Sequence, residues 1–102
     1  MKLYYWKDAY VADDSIAIRA FEMDEEYGGL VPYGNVTVCL AGYGLTPPDG
    51  HIFIPTYNMS PSFYKQVVED IVDEVVMPIE IGYGDGVLAR LKPDWEKKVN
   101  MC

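Results

Sequence analysis

The sequence predicts an α+β domain in which one helix packs on one face of an antiparallel sheet of five to six strands. Short segments that alternate apolar and polar residues recur along the chain, as in half-buried strands. One segment alone has the 3.6-residue apolar period of an amphipathic helix. The predicted order is β-β-β-β-α-β-β, and one helix covers only one face of such a sheet. Since 102 residues suit one domain, we expect a single domain over 1–102.

The first two strands are predicted at residues 3–6 and 15–20, joined by a turn at Asp13-Asp14. The first is a short aromatic run, and the second alternates apolar and polar side chains. After Ala20 the apolar phase switches to Phe21 and Met23, as a one-residue β-bulge would cause. A polar connection that ends in two glycines follows at residues 24–29, where we expect an exposed loop.

The third and fourth strands are predicted at residues 35–40 and 51–54. The first of these has the most regular alternation in the chain, and glycine- and proline-rich turns follow it. Pro55 is expected to end the second, because proline cannot donate a hydrogen bond to a neighbouring strand.

The helix is predicted to begin at Ser60-Pro61, since serine suits the N-cap and proline the first helical position. It is predicted to run to Pro78. Its apolar stripe consists of two rows at helical spacing, namely Phe63, Val67, Ile71 and Val75 beside Tyr64, Val68, Val72 and Val76.

The last two strands are predicted at residues 79–83 and 87–92. The sequence Gly84-Asp85-Gly86 between them is typical of a β-hairpin turn. From about residue 93 we expect a loose basic tail that contains at most one short helical turn.

The charge is strongly acidic, with 16 acids against 8 bases and a formal net charge of −8. This balance argues against a protein that grips nucleic-acid phosphates or an anionic membrane surface. Most of the acidity lies between the ends, because residues 8–91 carry 14 acids against Arg19, Lys65 and Arg90. A surface of this kind attracts basic partners.

Catalytic and metal-binding motifs are absent from the sequence, so we expect no enzyme, no metal and no cofactor. His51 is the only histidine, and no nucleophile motif surrounds the serines or Cys39. Cys39 and Cys102 do not make a disulfide framework. The N-terminus lacks the apolar core of a signal peptide and no apolar run could span a bilayer, so we expect a cytoplasmic protein.

The predicted helix places four acids on its solvent face. Glu69 and Asp73 are i, i+4 neighbours, as are Asp70 and Glu74, which gives two parallel carboxylate rows about 6 Å apart in spacing. One interpretation is a solvated helix surface. The other is a row of negative charges that imitates the phosphates of nucleic acid and enters a basic groove.

A second candidate contact surface is the loop that carries Asp24, Glu25, Glu26 and Tyr27. The nine tyrosines of the chain lie mostly in predicted loops or at strand ends. Tyrosine is favoured at protein interfaces because it is large and stiff and has a polar tip. Packing within a small domain explains such residues as well, and so the sequence leaves both interpretations open.

Two stretches resemble a known family. They are Pro32-Tyr-Gly-Asn-Val-Thr-Val-Cys-Leu40 and His51-Ile-Phe-Ile-Pro-Thr-Tyr-Asn58, followed by a single helix and a glycine-rich hairpin. Over about residues 30–98 the chain resembles uncharacterised small proteins that phages and mobile elements of gut bacteria encode. The resemblance implies a host-takeover or counter-defence role, similar to that of anti-CRISPR and anti-restriction inhibitors.

Three functions remain open at this point. The first is a non-enzymatic inhibitor whose acidic surface binds a basic groove of a nuclease, such as a Cas effector, without binding nucleic acid itself. The second is a protein that binds a small molecule, such as a nucleotide signal, in a pocket of loop tyrosines and glycines. The third is an accessory subunit or a homodimer that associates through its open sheet face.

Overall fold

The structure is a computed structural model that describes residues 2–80 and 84–98. Within these residues the chain is α+β, with one α-helix and two three-stranded antiparallel sheets. The elements are β1 (Tyr4–Ala9), β2 (Ile16–Asp24), β3 (Gly29–Asn35), β4 (His51–Ile54), α1 (Pro61–Ile71), β5 (Val72–Glu80) and β6 (Asp85–Leu91). The spatial orders are β1-β2-β3 and β4-β6-β5.

The prediction of one sheet with five to six strands is wrong, because residues 36–40 do not form a strand. They cross from one sheet to the other: the Val36 N–H donates to the Ile18 carbonyl on β2, and the Val38 N–H donates to Phe53 on β4. Val36 and Leu40 are nonetheless buried. The alternation of apolar residues in this segment therefore reflects burial between the two sheets.

The predicted irregularity after Ala20 is confirmed, but the extra residue lies on β3. Ala20 pairs with Gly34 and Phe21 pairs with Pro32, so that Tyr33 has no partner on β2. Because β2 itself contains no additional residue, its side chains keep alternating. Phe21 and Met23 consequently stay on the face opposite Ile18 and Ala20.

The helix begins where predicted and ends earlier. The Ser60 Oγ accepts a 3.2 Å hydrogen bond from the Phe63 N–H, which satisfies one of the free donors of the first turn. The helix ends at Ile71 and the chain continues directly as β5. Pro78 and the β-branched valines of this segment favour an extended backbone, and pairing with β6 satisfies its hydrogen bonds.

The core lies between the helix and both sheets. The buried helix residues Phe63, Val67 and Ile71 pack in one cluster with side chains from every strand except β3 and with Trp95. A second, smaller cluster on the other face of β4 joins Phe53 to Leu40. The short second sheet is thus covered on one face by the helix side of the core and on the other by the crossing segment.

The C-terminal segment is anchored, contrary to the prediction of a loose tail from about residue 93. Trp95 is buried in the main cluster and begins a 3₁₀ turn, Trp95–Lys98. The Lys7 ammonium lies 5.5 Å from the centroid of the Trp95 ring and 3.3 Å from the Glu96 carboxylate. Residues 99–102, which include Cys102, lie outside the described residues.

Candidate partner-binding site

The structure separates the four acids that were predicted to share one helix face. Glu69 and Asp70 lie on α1, whereas Asp73 and Glu74 lie on β5, where side chains follow a different period. The two parallel carboxylate rows therefore do not exist. The prediction of a nucleic-acid-like array on a single helix is wrong in its geometry.

Asp70 takes part in holding the fold together. Its Oδ2 accepts a 2.5 Å hydrogen bond from the Tyr5 hydroxyl of β1, and its Oδ1 accepts a 3.0 Å bond from the Gln66 amide. Burial, with the adjacent Asp70 carboxylate as a further cause, raises the pKa of Tyr5 well above its usual range. This carboxylate is directed at β1 and not at a partner.

Asp73 and Glu74 are neutralised by one arginine of the neighbouring strand. The Arg90 guanidinium lies 2.8 Å from the Asp73 Oδ2 and 3.0 Å from the Glu74 Oε1. The hydrogen bond to Asp73, together with the charge of Glu74, raises the pKa of Arg90. Of the four acids only Glu69 remains exposed with its carboxylate outside such a contact among the described residues, because Lys92 bonds its backbone oxygen.

The turn between β2 and β3 brings the second predicted group together. The Asp24 Oδ1 accepts hydrogen bonds from the backbone N–H groups of Glu26 and Tyr27, at 2.9 and 3.0 Å. The Gly28 N–H donates to the Asp24 carbonyl, and Gly28 has a φ of 80°, which favours glycine. These bonds fix the turn, so that Glu25, Glu26 and Tyr27 are presented to solvent in one arrangement.

An exposed apolar patch adjoins these acids. Met23 and Leu30 face each other as a β2–β3 pair and are 52% and 40% exposed. Tyr27, which is 75% exposed, folds back over Gly29. We call residues 23–30 the hairpin tip. Met23 and Leu30 were missed as site residues because the phase switch at Phe21 suggested that Met23 turns inward; the position of the bulge on β3 leaves it outside.

Other candidate chemistry is sparse in the described part of the chain. No group of three or more histidine, cysteine or carboxylate side chains in residues 2–80 and 84–98 is arranged to hold a metal ion. His51 places its Nδ1 2.9 Å from the Asp49 carbonyl, at the edge of a small hollow of ≈ 130 Å³. Cys39 is a free, half-buried thiol.

The comparisons with known proteins found no matching family model, no matching curated protein and no matching solved structure. Within the described ranges, α1 falls short of the length and apolar character that a membrane-spanning helix needs. The functional argument consequently rests on the geometry of the chain itself.

Proposed function

We propose that this chain is a non-enzymatic inhibitor, encoded by a phage or mobile element, that binds a basic nucleic-acid-binding protein of the host cytoplasm through its hairpin tip. The observation that carries the proposal is the patch of Met23, Tyr27 and Leu30 beside Glu25 and Glu26. Apolar and aromatic side chains bordered by charged ones are the usual composition of a protein interface.

The chemistry of the partner follows from the charge of the tip. None of the carboxylates of Asp24, Glu25 and Glu26 forms an ion pair with a described lysine or arginine, and the whole chain has a net charge of −8. Such a surface is drawn to clustered lysine and arginine. The groove of a nuclease that receives DNA or guide RNA offers that cluster, and a protein bound there excludes the nucleic acid by competition.

Self-association through the same tip is disfavoured. A two-fold contact would bring Glu25 and Glu26 of both copies together, and like charges at an interface repel. The acidic tip therefore fits a basic partner better than a second copy of this chain. The remaining alternative, a nucleotide-binding protein, concerns a different part of the first sheet.

The proposal is tested by capture from a lysate of a bacterium with active CRISPR and restriction systems, using the immobilised chain. We expect a basic nuclease to be retained and to elute as the salt rises from about 0.1 to 0.5 M, because salt screens exposed charges. The eluted nuclease should lose DNA binding when the chain is added back. Retention of proteins that bind no nucleic acid, or retention that salt does not weaken, would contradict the proposal.

A further inference from the structure

The first sheet leaves one face uncovered. Tyr5, Ile18 and Ala20 are each 1% exposed and point into the core. Side chains alternate across a strand, so the neighbours Tyr4, Trp6, Arg19 and Phe21 lie on the opposite face. We call this surface the outer face. Trp6 is 43% exposed there, and the helix lies on the other side of the sheet.

Strand pairing arranges the outer face in two rows. Trp6 pairs with Arg19, and Arg19 pairs with Asn35, which gives an aromatic ring, a guanidinium and an amide side by side across three strands. The next row consists of Tyr4, Phe21 and Pro32. Strands lie about 4.8 Å apart, so each row is about 10 Å wide, which is the scale of one nucleoside.

The cations of this face are not neutralised. Arg19 forms no ion pair with a described carboxylate, in contrast to Lys7 and Arg90. The Lys2 ammonium lies 5.2 Å from the centroid of the Tyr4 ring. The nearest acid in the pairing is Asp8, opposite Ala17, and its Oδ1 accepts the Ala9 N–H. In a chain with 16 acids and 8 bases, this face is locally positive.

The bulge at Tyr33 opens a hollow beside these rows. Its volume is ≈ 280 Å³, and its lining includes Arg19, Phe21, Pro32 and Asn35. At the end of the sheet the Tyr10 hydroxyl bonds the Thr37 hydroxyl at 2.8 Å. Because Tyr10 follows β1 and Thr37 follows β3, this bond carries the Tyr10 side chain across β2 and bounds the outer face there.

We infer that the outer face binds a mononucleotide. Aromatic side chains on an open sheet stack with nucleobases, as Phe21, Tyr4 and Trp6 are placed to do. The Arg19 guanidinium supplies paired donors for the phosphate, and the Asn35 amide can donate to and accept from a base edge. A mononucleotide fits better than a long strand, since each further phosphate meets the net charge of −8.

The test is a titration of the full chain with AMP, GMP, CMP and UMP, monitored by tryptophan fluorescence and two-dimensional NMR. We expect at least one of them to bind at micromolar to millimolar concentration and to quench Trp6, with NMR shifts confined to β1, β2 and β3. Adenosine and inorganic phosphate added separately should each bind about tenfold or more weakly than the nucleotide that binds best.

Two charge-matched variants decide the role of the arginine. Arg19→Gln should weaken nucleotide binding about tenfold or more, whereas Lys65→Gln, which removes an exposed cation from the helix, should not. Both should retain the unfolding midpoint of the parent. No binding by any of the four nucleotides at millimolar concentration, or equal binding by Arg19→Gln, would overturn the inference. So would an octanucleotide that binds about a hundredfold more tightly, which would assign the face to a nucleic-acid strand.

This inference stands apart from the proposed function. The substitutions Glu25→Lys and Glu26→Lys in the hairpin tip should leave nucleotide binding intact or strengthen it slightly by reducing the negative charge. Loss of partner binding with retained nucleotide binding, or the reverse, therefore separates the two proposals.

Discussion

The Tyr5 hydroxyl donates a 2.5 Å hydrogen bond to the Asp70 carboxylate and so ties β1 to α1 across 65 positions of the chain. Tyr5 is 1% exposed, and the acid that receives its proton is the one that the sequence suggested as a partner-binding residue. The contact explains why this acid is directed inward. It also joins the first sheet to the helix that packs against the second.

Removal of this hydroxyl should destabilise the fold. We expect Tyr5→Phe to lower the free energy of unfolding by about 1–3 kcal/mol, because a hydrogen bond to a carboxylate is lost while Gln66 still contacts Asp70. Urea unfolding measures the change. Tyr4→Phe on the outer face is the matched control and should cost less than about 0.5 kcal/mol. Equal costs would mean that the Tyr5–Asp70 bond contributes nothing.

The end of the helix at Ile71 gives a second prediction. Val67 is fully buried on α1, whereas Val76 is 43% exposed on β5. We expect Val67→Ala to cost about 2 kcal/mol and Val76→Ala less than about 1 kcal/mol in chemical denaturation. A helix continued to Pro78 would place Val76 in the apolar stripe, and two similar losses would then be observed.

The docked C-terminal segment gives a third. Trp95 is 6% exposed, and Trp6 is 43% exposed. Trp95→Ala should lower the free energy of unfolding by about 3–5 kcal/mol, as expected for a large buried aromatic residue, while Trp6→Ala should cost less than about 1 kcal/mol. Thermal unfolding of the two variants compares them directly. A small loss for Trp95→Ala would restore the expectation of a loose tail.

Acid titration tests the turn at Asp13. Its Oδ1 accepts a 2.6 Å bond from the Ser15 hydroxyl and a 3.0 Å bond from the Ser15 N–H, and these lower the pKa of Asp13 below its ordinary 3.8. The stabilisation is therefore complete above pH 3.8 and is lost as the pH falls through the lowered pKa. The stability difference between the parent and Asp13→Asn should shrink only below that value. Carboxyl NMR of Ser15→Ala should find a higher pKa for Asp13.

Several elements could be predicted because their signals are local. Ser60 and Pro61 specify the start of the helix through cap geometry alone. The alternation of Ile16, Ile18 and Ala20 specifies which face of β2 is buried, whatever it pairs with. The hairpin strands at Ile79 and Gly86 also pair as expected, while residues 81–83 of that prediction lie outside the described residues.

The errors arise where distant pairing decides. Val72, Val75 and Val76 fit a helical stripe and an extended strand equally well, and the pairing of β5 with β6 selects the strand. The segment at residues 29–35 contains two glycines and a proline, so its propensity does not indicate β3; its pairing with β2 forms it. The acidic rows were lost and the hairpin tip was kept for the same reason, since only the tip depends on a local turn.

The most direct measurement of the central claim compares two charge reversals in the affinity of the chain for the captured nuclease. Glu25→Lys with Glu26→Lys alters the hairpin tip, and Glu80→Lys with Asp85→Lys makes the same charge change at the exposed β5–β6 hairpin. We predict that the tip variant loses about a hundredfold or more in affinity and the other variant less than about fivefold. Equal affinities for the two variants would contradict binding through the tip.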